Sequence, residues 1–157
     1  MQDVFALARA ELDRLPGVAG VRVRELAGSE LFAYGDDDVF PAASVIKVPL
    51  VMTLLAEAAE GRVALDERLP IGDKHVAGVP VLGTGILRDL VDVADLSLRD
   101  LATLTITLSD NVATNRLIDH LGFEPVTRRL SEWGCPRTQL VRRMFDEDAK
   151  SRGLETS

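Results

Sequence analysis

Phe40-Pro41-Ala42-Ala43-Ser44-Val45-Ile46-Lys47 opens an apolar run with helical spacing that reaches Glu60 and stops at Gly61, a residue suited to a left-handed helix cap. Val48, Val51, Met52, Leu55 and Ala59 share one side, and since the run is apolar nearly all round, a buried helix is expected. Ser44 and Lys47 are three residues apart and share a face, so their side chains can touch. A serine hydroxyl is a weak nucleophile near neutral pH until a neighbour takes its proton. A lysine desolvated by apolar surroundings has a reason to shed its own proton and do so. The helix start adds unpaired N–H groups and the positive end of the dipole, which stabilise charge on an attacked carbonyl. Pro49 frees the carbonyl of Val45 and predicts a kink beside these residues. The plainer reading makes Ser44 a helix cap and Lys47 a snorkelling cation.

Downstream, Ser109-Asp110-Asn111 lies 65 residues after Ser44 (109 − 44) at the junction of two helical patterns. The triplet is good turn and capping chemistry in its own right. Before it, Ser97-Leu-Arg-Asp100 reads as a capping box for a helix through Leu101, Leu104 and Leu108. After it, either Ser109 or Asp110 can cap a helix through Val112, Ile118 and Leu121 to Gly122, and a further helix runs from Glu124-Pro125 to Trp133-Gly134. Between the two motifs come a strand-like pair around Val63 and Leu69-Pro-Ile71 and a glycine-rich loop through Gly78, Gly83 and Gly85. Upstream, residues 3–14 place Val4, Leu7, Ala8, Glu11 and Leu12 with helical rhythm, ended by Pro16-Gly17. Two strands joined at Gly28-Ser29 follow, and Asp36-Asp37-Asp38 closes the hairpin. The chain therefore divides into residues 1–40, helix and hairpin, and residues 41–157, mostly helical.

Composition narrows the function. With 157 residues, 46% hydrophobic and 27% charged, the chain can bury a core without metal or disulfide staples. A formal charge of −7 argues against nucleic acid or an anionic membrane as partner. Cys135 is the single cysteine, so neither a disulfide nor a cysteine-pair metal site can form within the chain, and His75 and His120 lack the spacing of metal motifs. The N-terminus mixes acidic and basic residues without the apolar core of a signal peptide, and no run is long enough to span a bilayer; as written, a cytoplasmic location is expected.

The two motifs, in this order and each at a helix start, resemble those of class A β-lactamases and penicillin-binding-protein-like serine hydrolases, whose signature joins Ser-x-x-Lys, Ser-Asp-Asn and a later Lys-Thr-Gly. The similarity includes the Phe-Pro-Ala-Ala-Ser lead-in, the long apolar helix closing in Glu60-Gly61, and Asn111-Val-Ala-Thr-Asn115 with its aliphatic helix and Gly122. Carried over position by position, the resemblance implies Ser44 as the acylated nucleophile and Lys47 as its base or proton relay. It implies Ser109 as proton shuttle to the leaving group and the Asn111 amide as holder of the substrate's amide carbonyl. Asp110 and Asn115 are implied to fix the loop. The implied substrates are small-molecule or peptide amides and esters of the β-lactam or acyl-D-Ala-D-Ala kind, with no metal or organic cofactor.

Two departures from the pattern shape the expectation. No Lys-Thr-Gly or Lys-Ser-Gly follows Ser109, and the family's strand bearing it supplies an oxyanion donor of a kind worth about 3–4 kcal/mol. The later strands and closing helix are also missing. The expected fold is therefore α+β and β-lactamase-like but incomplete, with an uncovered hairpin edge. Nor is there a Glu-x-x-Leu-Asn setting for deacylation; Glu147 and Glu155 occupy the comparable stretch, where charges are ordinarily just solvated. Without such a base an acyl-enzyme would persist. The reading is a truncated or split serine acyl-transfer hydrolase of weak activity, open to self-association or to a complementing chain that supplies strands. Its rivals are a non-catalytic binding or oligomerisation module and a small helical protein in which Ser44 and Ser109 are only caps.

Overall fold

The computed structural model describes residues 2–157, with side chains from Val4 onward. They fall into two compact units, Met1–Phe40 and Pro41–Ser157.

In the first unit, α1 (Gln2–Leu12) precedes β1 (Val21–Arg24) and β2 (Glu30–Tyr34). The strands pair antiparallel with Val21 opposite Tyr34 and Val23 opposite Phe32, and the register shifts after Val23. Gly28, at φ +105°, makes the turn, the left-handed region in which glycine costs least. Phe5, Ala8 and Leu12 are the part-buried residues of α1, whereas Val4 and Leu7, expected inward, are exposed. The Phe5 ring sets this rotation by stacking on Phe32 with centroids 5.3 Å apart, since an aromatic pair buries more apolar area than the aliphatic alternative. Among the described residues the ribbon has two strands only, so both outer edges lack a partner.

The second unit is built around α2 (Lys47–Ala59), which packs on α3 (Leu98–Thr107), α4 (Asn111–Leu121) and α5 (Phe123–Glu132). Leu50, Leu54, Leu101, Leu117, Ile118 and Val126 form its core. The expectation that α2 is buried nearly all round is corrected. Lys47, Leu50, Val51, Leu54 and Glu57 are buried, while Val48, Met52 and Leu55 are 46–49% exposed. Aliphatic residues occur on every side of this helix, so spacing could not choose a face; packing against three helices does. The exposed side continues through Val45 and Ile106 as an apolar stripe without a cover among the described residues.

The segment before α2 is a 3-10 turn, Ala43–Ile46, rather than the first turn of one long helix. Pro49 thereby falls at the third residue of α2, where its missing N–H has no intrahelical acceptor to lose. Two other expectations are corrected. Val63 is in no strand: β3 (Arg68–Pro70) pairs with β6 (Asp95–Ser97), a match across more than twenty residues that local pattern does not reveal. A small hairpin of β4 (His75–Val76) and β5 (Val79–Pro80) precedes the glycine-rich loop. Ser97 caps α3 by accepting from the Asp100 N–H at 3.1 Å, as the capping box predicts. The terminal stretch forms α6 (Glu147–Ser151). It is tied back by Ser157 pairing with Gln139 and by the Thr156 carbonyl accepting the Ala42 N–H at 3.0 Å, two residues before Ser44.

Candidate active site

Ser44 caps nothing. The residue in the cap position of α2 is Ile46, which makes no side-chain bond, and the 3-10 turn likewise has no side-chain cap. At α4 the cap is Asp110 rather than Ser109. The two serines instead converge, Ser109 Oγ donating to Ser44 Oγ at 3.0 Å, which independent caps have no reason to do.

Lys47 is what joins them. Only 2% exposed, its Nζ stands 2.7 Å from the Ser109 carbonyl, 2.7 Å from Asn111 Oδ1, 2.8 Å from Ser109 Oγ and 3.3 Å from Ser44 Oγ. An ammonium has three protons for these four acceptors. One proton is therefore shared, and Ser44 Oγ, the longest of the four contacts, is the most weakly held acceptor. Burial pushes Lys47 down to about 8 from 10.5, opposed by the charge of Asp110. About a tenth of the amine is thus neutral at pH 7, far more than in an ordinary lysine.

The Ser-Asp-Asn turn is held by the loop 82–87. Asp110, 1% exposed, accepts the Ile86 and Leu87 N–H groups on Oδ2 (2.6 and 2.8 Å) and that of Ala113 on Oδ1 (3.0 Å). Asn111 donates through Nδ2 to the Leu82 carbonyl at 2.8 Å, which fixes its amide so that Oδ1 meets Lys47. Asn115 clasps Met144 in both directions, accepting its N–H at 2.8 Å and donating to its carbonyl at 3.1 Å. Gly83 and Gly85 are glycine for a reason. A Cβ at Gly83 would stand 2.8 Å from Asn111 Nδ2, and one at Gly85 (φ +115°) 2.4 Å from Asp110 Cγ. Gly85→Ala is therefore expected to lower stability by about 2 kcal/mol in urea unfolding, through overlap with a buried, fully bonded carboxylate.

Ser44, Thr84 and Asn111 line an open cleft of about 560 Å³, with Arg142, Phe145, Glu147, Lys150, Glu155 and Thr156 also on its walls. A volume of this size suits a small ligand. Both carboxylates considered from the sequence, Glu147 and Glu155, reach the cleft, and Arg142 bonds Glu155 at 3.4 Å. His75, His120 and Cys135 do not line it. Sequence reasoning missed Thr84, Arg142, Lys150 and Thr156. None of these carried a local signal of its role: Thr84 stands in a glycine-rich loop, and the others in a charged terminal stretch.

A serine and a lysine about one turn apart are thus faced by a second serine and by an asparagine at the start of another helix. The chain belongs to the β-lactamase enzyme family, whose family model matches residues 4–157. It is 32% identical over 138 residues to a β-lactamase of Rhodobacter capsulatus, covering 87% of this chain and 45% of that one. Its fold matches a β-lactamase from Sphaerobacter thermophilus with TM-score 0.80 and 33% identity, covering 92% of this chain and 53% of that one. PBP-A matches at TM-score 0.82 and 31% identity, covering 100% and 57%. The chain thus spans about half the length of these relatives, and its mixed helix and sheet are the corresponding part of a β-lactamase-like fold.

Proposed function

We propose that this chain carries the acylating centre of a serine acyl-transfer hydrolase acting on β-lactams or on acyl-D-Ala-D-Ala-like amides and esters. Ser44 is the nucleophile. Neutral Lys47 takes its proton as Oγ attacks the acyl carbonyl, and the tetrahedral intermediate collapses with cleavage of the C–N or C–O bond. Ser109 passes its proton to the leaving atom and regains one from the Lys47 ammonium, 2.8 Å away. The acyl group remains as an ester on Ser44. The second amide hydrogen of Asn111 is available to the acyl-side carbonyl, since the residue lines the cleft. Glu147 and Glu155 are the carboxylates on hand to activate water. The observation that carries this reading is Lys47 Nζ within hydrogen-bond reach of both serines. A PBP-A variant forms an acyl-enzyme with penicillin G, which supports the substrate class.

The exposed stripe of Val45, Val48, Met52, Leu55 and Ile106 favours one addition: low activity in this chain alone, raised by a segment that covers the stripe and brings further strands. Further residues of the same protein, a complementing chain or a second copy could supply that segment, and sedimentation of this chain at dilute concentration tests for the second copy.

Incubating the chain with a fluorescent penicillin and weighing it intact tests the central reading. A mass gain of one penicillin, lost in Ser44→Ala, is expected. No adduct on a chain shown to be folded would sink the proposal.

A further inference from the structure

Ser109 has φ +51°, a left-handed conformation unusual for a residue with a side chain. Such a conformation persists only when its surroundings hold it. Two donors hold the Ser109 carbonyl: Lys47 Nζ at 2.7 Å and Thr84 Oγ1 at 2.8 Å. Thr84 also accepts the Asn111 N–H on its own carbonyl at 3.3 Å. One residue of the loop is thus bonded to the first and third members of the Ser-Asp-Asn turn.

We propose that Thr84 is a positioning residue of this site, its hydroxyl sharing the Ser109 carbonyl with Lys47 and so setting how firmly that carbonyl holds the lysine amine. A carbonyl oxygen has two lone pairs. With both filled, neither donor has it entirely, and the hydrogen end of the Thr84 O–H dipole adds positive potential beside the lysine. Without the hydroxyl, Lys47 becomes the only side-chain donor to that oxygen. Its ammonium form gains and its neutral form loses, because a hydrogen bond to the charged state favours that state. The amine is also drawn toward Ser109 and away from Ser44, its longest contact at 3.3 Å.

Other charges near Lys47 are accounted for. Asp110, at the start of α4, is buried and bonded to three N–H groups. Arg142, Glu147, Lys150 and Glu155 stand on the cleft that Ser44 lines. α3 presents Thr105 and Ile106, which do not titrate. Glu57 and Glu60, at the far end of α2, are paired with Arg62 and Arg129.

The consequence for rate rests on the acylation reading; the geometry does not. The test titrates the three lysines of the full chain by NMR of labelled side chains, in the native protein, Thr84→Val and Thr84→Ser. The Lys47 midpoint in Thr84→Val is expected about half a pH unit above the native one, with Thr84→Ser restoring it. The acid limb of penicillin acylation should move by the same amount. An unmoved or lowered midpoint in a folded Thr84→Val protein overturns the inference, and Thr84→Ala serves if valine prevents folding. A native protein that takes no penicillin defeats the acylation reading instead, and the lysine titration still decides the role of Thr84.

Discussion

Lys47→Met is expected to slow acylation of Ser44 by about a hundred- to ten-thousand-fold while leaving stability at pH 7 nearly unchanged. The rate falls because, among the described residues, Lys47 is the base within hydrogen-bond reach of Ser44 Oγ, whose other contact is Ser109, a hydroxyl. Stability holds because two effects oppose. A lysine that is 2% exposed and lowered to about 8 is disfavoured in its charged form by folding, and methionine removes that cost. Methionine also leaves Asn111 Oδ1 without its donor, a penalty of about 1–3 kcal/mol. The pH dependence separates the two. Between about 8 and 10.5 the unfolded chain binds more protons at Lys47 than the folded one, so native stability rises with pH over that window and is lost as pH falls through 8. The full change is about 3 kcal/mol. Urea unfolding across this range, native minus Lys47→Met, should show that slope, and a flat difference would refute the assignment of a depressed lysine.

Asp110→Ala is expected to lose about 3–5 kcal/mol, the largest stability effect in the second unit. Its side chain accepts three N–H groups, of Ile86, Leu87 and Ala113. Removing the helix cap costs about 1 kcal/mol, leaving the part-buried Ile86 N–H unpaired about 1 more, and the buried Leu87 N–H about 1–3. The midpoint of urea denaturation measures the loss. Lys47 should also titrate lower in any folded remainder, since Asp110 is the charge that opposes burial there.

Much of this arrangement could be read from residue order alone. The helix starts at Ser97 and Asp110, the hairpin at Gly28 and the pairing of Ser44 with Lys47 follow from local chemistry, where a side chain and its partner lie within four residues. What escaped depends on distant contacts. The face of α2 was chosen by α3, α4 and α5, not by its own aliphatic spacing. β3 found β6 across an irregular stretch. In the site, Ser44, Lys47, Ser109 and Asn111 were identifiable, yet Thr84 was not, because a threonine in a loop gives no local hint that a carbonyl 25 residues away will accept its hydroxyl.

The glycines on either side of Thr84 also limit how this protein can diversify. With Asn111 pressed against position 83 and Asp110 against position 85, neither codon can drift to a larger residue without straining the turn it touches. Heritable change in that stretch of the cleft wall is funnelled into one codon, that of residue 84. A mutational library spread evenly over 83–85 would spend two thirds of its positions on destabilising changes, whereas one confined to 84 samples the wall of the cleft that Ser44 also lines.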